Sequence, residues 1–231
     1  MGAIIKNELR KYFFSPLGYI VIGVFLVIFS LYVLSGIVTY LTLDFGIALY
    51  YTIELGFPVI IGLLTMGLFA EERKNGTEKI LLTSPISTFK IVLAKFLSAA
   101  IVIGIGLLFT FIYYIIFRIY GAYSFGEAFT QIIGFMLVSL AGISFGMFAS
   151  SLVDNPVIAG AITIIPMILW TLVLSRFGVD NILFSITNLS SLYINFGRGV
   201  ISIGDILILF LFTALFFTLT LLSLKRRRLV K

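Results

Sequence analysis

The chain has 231 residues, of which 61% are hydrophobic and 11% charged, with a mean hydropathy of +1.19. Soluble domains carry about a quarter charged residues, so this composition excludes a soluble globular protein and defines an integral membrane one. The +6 net charge is segregated by loop and reports orientation, not a nucleic-acid partner, while the lack of cysteine and histidine removes disulfides, thiolate chemistry, the usual general base and the commonest metal ligand.

Residues 4 to 16 place Ile5, Leu9, Tyr12, Phe13 and Pro16 along one helical stripe, with Lys6, Asn7, Arg10 and Lys11 off it. The pattern predicts an amphipathic helix lying in the membrane interface. A signal peptide is disfavoured because the apolar run that follows, Tyr19 to Leu41, is too long and ends without a small-residue cleavage site. Lys6 stands where N-myristoylation needs Ser or Thr.

Six hydrophobic stretches are long enough to cross a bilayer, which takes about 20 apolar residues each. They run from Tyr19 to Leu41, Leu49 to Ala70, Ile91 to Phe117, Ala128 to Ser151, Pro156 to Ser175 and Ile206 to Leu224. The fold class predicted is all-α, a polytopic membrane protein forming one transmembrane domain over residues 1–231, with an interfacial helix at its start. The third stretch exceeds the need, so it tilts or projects.

With six spans, Lys6, Arg10 and Lys11, then Arg73, Lys74, Lys79, Lys90 and Lys95, then Lys225 to Arg228 and Lys231 share one side, leaving Arg118, Arg176 and Arg198 opposite. The positive-inside rule puts both termini and the 71–90 loop in the cytoplasm.

That loop is the longest polar interruption on the basic side. Glu71, Glu72 and Arg73 close the second span, Gly76 and Thr77 break the pattern, and Asn75 is placed to cap a new short helix with Glu78 three positions on. Ile80, Leu81 and Leu82 make its apolar turn, and Ser84-Pro85 restarts the chain toward the third span. A helix that short needs something to pack against. It is either a docking knob or a hairpin lying on lipid headgroups.

On the outer side, residues 176 to 205 are apolar but broken by Gly178, Gly197, Gly199 and Gly204. Stretches such as NILFSI and SSLYINF suit short helices dipping part-way in, tolerated where protein covers their backbone. Within the spans only Glu54 and Lys95 are charged, and both read as boundary residues about one turn from a span end, within snorkelling reach. Glu54, four residues before Pro58, is the one candidate pathway residue. Gly142, Gly146 and Ser150 repeat at a spacing that favours close helix packing within the subunit.

No G-x-x-x-x-G-K-[ST] loop occurs, and Asp44, Asp154, Asp180 and Asp205 lie in loops or at span ends, so neither a P-loop nor an intramembrane aspartyl pair is available. The reading is of a non-enzymatic subunit. Without midplane carboxylates a proton- or sodium-coupled carrier has little to work with, and energy must come from another polypeptide.

The loop EERKNGTEKILLTSPISTFKIVLAKF after the second span resembles the transmembrane subunit of ABC-2 type transporters, in the branch of the gliding-motility and nitrous-oxide-reductase-maturation permeases. Glu72, Arg73, Gly76, Thr77, Glu78, Leu81, Leu82, Ser84, Pro85, Ile86 and Lys95 fill that pattern, and Ser191, Phe196, Arg198, Gly199, Val200, Ile201 and Asp205 resemble the segment entering the family's last span. The outer connections are short, so the large extracytoplasmic domains of some relatives are missing.

The resemblance implies a half-transporter of the exporter fold in a prokaryotic cytoplasmic (inner) membrane, paired with an identical or related permease. Two cytoplasmic ABC ATPase subunits would hold ATP and Mg, and this chain would bind no cofactor. Glu71 to Pro85 would carry the coupling helix, and the 176–205 region, with Phe196, Arg198 and Gly199, would close the outer side. Two alternatives are a subunit that passes mechanical work to an extracytoplasmic partner without moving solute, and a passive channel or carrier independent of ATP. The charge-poor interior suits lipids, lipid-linked glycans or hydrophobic peptides better than ions.

Overall fold

The computed structural model describes residues 2–40, 44–78, 86–120, 124–173 and 188–230. The expectations on Ile80, Leu81, Leu82, Ser84 and Pro85, and on the first part of the 176–205 region, lie outside the described residues. All regular structure described is helical.

Helix α1 spans Gly2–Phe14 and α2 spans Leu17–Tyr40. The second span opens earlier than the hydropathy indicates. Asp44 accepts a hydrogen bond from the Ile47 amide and caps α3, Phe45–Tyr51, so Phe45 to Ala48 are helical and largely buried instead of forming an outer link. A π-helical turn, Thr52–Gly56, leads into α4, Phe57–Thr65, and after a turn α5 covers Ala70–Lys74.

Helix α6, Thr88–Tyr120, has 33 residues, about 50 Å at 1.5 Å per residue, and so exceeds a hydrocarbon core of about 30 Å as expected. Helix α7, Phe125–Leu152, is capped by Ser124, and α8, Pro156–Ile168, by Asn155; a π-helical turn, Leu169–Val173, extends α8. Asn188 caps the short α9, Leu189–Gly197, and α10 runs from Ile203 to Val230.

Among the described residues, five helical segments are long and apolar enough to cross a membrane: Leu17–Val38, Phe45–Lys74, Thr88–Ile119, Phe125–Leu152 and Ile203–Arg227. The expected span from Pro156 to Ser175 is described only as far as Val173. Its apolar helical part, Pro156–Thr171, is shorter than the other five, and Pro166 and the π turn interrupt its regular bonding.

The centre of the bundle is aromatic. Phe25 meets Phe135 at 5.4 Å between ring centroids, Phe29 meets Phe45 at 5.5 Å, and Phe57 meets Phe135 edge-on at 6.2 Å. Since lipid is as apolar as these rings, helix association here rests on close van der Waals fit, and small residues supply it. A Cβ at Gly142 would strike the Phe57 ring and one at Gly146 would strike Thr65. The small-residue face of α7 thus receives α4 of the same subunit.

Helix α1 packs on α6 through more than its apolar stripe. Tyr12 and the acidic Glu8 are both buried, so the inward face carries a charge where only apolar side chains were expected.

A charged corner at the broken end of the second span

Between α4 and α5 the second span opens into a turn over residues 66–69. Backbone groups released by such a break cannot be left bare near the bilayer. Side chains from three other helices take them up. From α1, the Tyr12 hydroxyl donates to the Leu64 carbonyl at 2.8 Å. From α7, Ser150 Oγ accepts from the Phe69 and Ala70 amides and donates to the Met66 carbonyl. From α6, Lys95 Nζ donates to the Leu68 carbonyl at 2.7 Å.

Lys95 does not snorkel. Because α6 begins at Thr88, Lys95 lies about two turns inside it, and its side chain is 1% exposed. Its ammonium also bonds Glu72 Oε1 at 2.7 Å and Glu8 Oε1 at 3.0 Å and sits 5.2 Å from the Phe69 ring centroid. Lys11 reaches the same two carboxylates, at 3.0 Å to Glu8 and 3.2 Å to Glu72. Two cations and two carboxylates balance locally, the condition under which buried charge is tolerated. One oxygen, Glu72 Oε2, is buried without a hydrogen-bond partner.

The cluster sets its own titration. Burial alone would raise the Glu8 carboxyl, but Lys95 and Lys11 together hold it below the ordinary value. Burial would likewise lower Lys11, and Glu8 and Glu72 outweigh it and raise the ammonium. Burial, with the charges of Glu8 and Glu71, pushes the Tyr12 hydroxyl up, so it stays a donor to Leu64.

Arg73 ties the corner to the far side of the bundle. Its Nε donates to Glu78 at 3.0 Å, one terminal nitrogen to the Val153 carbonyl at 2.9 Å and the other to the Ser151 carbonyl. Asp154 lies 3.5 Å from Arg73 and 3.8 Å from Arg227 of α10. Helix α1, α5, the start of α6, the α7–α8 turn and the end of α10 therefore meet at one end, with both ends of the described chain.

Two expectations on this loop change. Asn75 ends a helix instead of starting one: its amide bonds Glu71 O as the C-cap of α5, and Gly76 follows at φ +72°, where a residue without a Cβ is favoured. Glu78 pairs with Arg73 rather than closing a capping box. Thr77 donates to the Glu72 carbonyl, and Glu71 and Gly76 are exposed. Glu8, Asp154 and Arg227 were missed; the only hint of Glu8 is that it is the one acid in a basic leader.

At the opposite end, Phe196 is fully buried beneath Gly134, Arg198 caps α9 and Gly199 turns at φ +77° against Glu127. Gln131 Nε2 donates to the Gly197 carbonyl at 2.8 Å. Glu54 is half-buried in the π turn, about 14 Å along the helix from Phe45. The capping by Asp44 lengthens the helix, so Glu54 stands further from the helix start than the hydropathy indicates.

An all-helical bundle with membrane-length helices and a charged corner where a broken span meets both chain ends has the form of a membrane transport subunit. A family model described as ABC-2 family transporter protein matches residues 39–229, and the chain belongs to that family. It is an integral membrane permease component of an ABC transporter, a class that works with a partner ATPase. No curated protein matches the chain.

Proposed function

We propose that this permease is the membrane half of an exporter, driven by two cytoplasmic ATPase subunits that bind ATP and Mg and dock on the 71–85 segment. A second permease, identical or related, completes the pathway. The branch serving gliding motility and nitrous-oxide-reductase maturation is favoured by the loop motif, and the positive-inside distribution favours an inner membrane with both termini cytoplasmic.

The observation that carries the reading is the staple around the broken turn. Closure of an ATPase pair displaces Glu71, Glu72, Arg73 and the residues that follow, and this motion enters the second span through backbone held by Tyr12, Lys95 and Ser150. Because those side chains belong to α1, α6 and α7, the displacement moves several helices together. Arg73, Glu78 and Asp154 extend the same linkage to α10 through Arg227. In this scheme Gly76 and Thr77 shape the loop, Ile80, Leu81, Leu82 and Pro85 form the docking knob, and Phe196, Arg198 and Gly199 close the outer end.

The test is to purify the chain with its ATPase and substitute Leu81→Asp and Leu82→Asp together. Loss of co-purification and of permease-dependent ATP hydrolysis is expected. Normal assembly and hydrolysis would defeat the docking assignment.

A further inference from the structure

Helix α1 turns its apolar stripe toward the protein. Leu9 and Phe13 pack against the core, Tyr12 is buried, and Glu8, the only acid of the helix, is taken up by Lys95 and Lys11. What remains outward is Lys6, Arg10 and Phe14, four residues apart and therefore one above another on a single face. All three are exposed, Phe14 by 81%, and this face of α1 carries two cations and no carboxylate.

The stripe is graded in step with the second span. Near its Phe14 end Tyr12 bonds Leu64 in the apolar α4, whereas one turn back Glu8 meets Lys95, which also holds Glu72 of the charged α5. Going from Phe14 through Arg10 to Lys6 thus runs the same way as going from the apolar span to the polar loop. Connectivity fixes the level independently, because Ser15 and Pro16 alone separate Phe14 from Leu17, where the first membrane-length helix opens. Tyr19, 63% exposed and edge-on to Phe13 at 5.9 Å, stands just inside that helix, and tyrosines at span ends sit at the head-group level. The Arg10 guanidinium is held beside it, 4.9 Å from the Phe14 ring centroid.

At that level a guanidinium meets lipid phosphates, which it binds through paired hydrogen bonds. A zwitterionic lipid brings an ammonium with its phosphate and an anionic lipid does not, so two unopposed cations discriminate by net charge. A soluble partner would reach Lys6 but would not cover Phe14, which runs into the apolar span.

We propose that the outward face of α1 binds the head group of an anionic phospholipid, its phosphate on Arg10 and Lys6 and its acyl chains beside Phe14. The proposal rests on the membrane residence of the family and not on the exporter reading.

The experiment uses the full chain in phosphatidylcholine bilayers, with a nitrobenzoxadiazole label on Asn7→Cys, an exposed position in a chain without native cysteine. Trace phosphatidylglycerol or, in parallel, trace phosphatidylcholine carries a nitroxide high on one acyl chain and quenches the label at close range. At low salt the anionic lipid should quench at least about threefold more efficiently, and this preference should vanish in Lys6→Gln, Arg10→Gln and shrink in high salt. Lys225→Gln, Arg226→Gln, at exposed bases near the end of α10, should leave it intact, which separates binding on α1 from the general positive charge of this end. Elution volume and unfolding temperature identify the variants that fold; should the double α1 variant fail, Arg10→Glu carries the same expectation. Equal quenching by the two lipids, a preference that survives in the folded α1 variants, or one abolished by Lys225→Gln, Arg226→Gln overturns the proposal. So does shielding of the label from both lipids once the ATPase is bound, which would make the face a protein-docking surface.

Discussion

At the end that carries both chain ends, helices are joined through charge: Lys95 links α1, α5 and α6, and Arg73 links α5 to α7 and, through Asp154, to α10. At the opposite end, α3, α7 and α9 meet through Gly46, Gly134 and Gly197, with the Gln131 amide on a backbone carbonyl. Charge pairs are strong but shift with partners and protonation, whereas glycine contacts depend on shape alone. The first kind of joint suits a place where an outside force enters, and the second suits a seam that holds its form.

The largest effect should come from breaking the ionic joint. Lys95→Ala removes the buried cation shared by Glu8 and Glu72 and leaves them only the more exposed Lys11, so about 3 kcal/mol of stability, the low end of the cost of breaking a buried pair, should be lost, read as a lowered unfolding temperature in detergent. An unchanged unfolding temperature would show that the network contributes nothing. At the other end Gly134→Ala forces a Cβ against Phe196, and about 1–3 kcal/mol should be lost. That loss should be the same at low and high salt.

The smallest effect is on pH. Because folding lowers the Glu8 value beneath its ordinary 4.5, the stability it lends is complete above 4.5 and goes only as pH falls through the lowered value. Lys11 behaves oppositely: its contribution is complete below 10.5 and is lost as pH rises through its raised value. Spin labels at Asn7→Cys and Lys90→Cys, in a chain with no native cysteine, report whether α1 stays on α6. Their separation should hold as pH falls past 4.5 and spread only in stronger acid. Spreading already above 4.5 would contradict the assigned role of Glu8.

Much of the fold was legible because a bilayer reduces the problem to length and polarity. Apolar runs of sufficient length announced the five membrane-length segments, and the basic residues sorted to the end where Lys11, Arg73, Lys95 and Arg227 meet. The loop motif named the family that the match over residues 39–229 shows. Local signals that serve two purposes misled. Asn75 with Glu78 fits a helix start, yet Asn before a glycine at positive φ also fits a helix end, and the ion pair of Glu78 with Arg73 chose the second.

What the sequence determined alone was therefore whatever each residue does in its own neighbourhood: membrane residence, helix content, the sidedness of charge and the family. Only the tertiary structure decided that Lys95 turns inward to Glu8, 87 positions away, and that Tyr12 and Ser150 close a break in another helix. A charge near a span end can reach water or a buried partner. Which it does depends on acceptors brought in by distant helices, and no local pattern encodes their arrival.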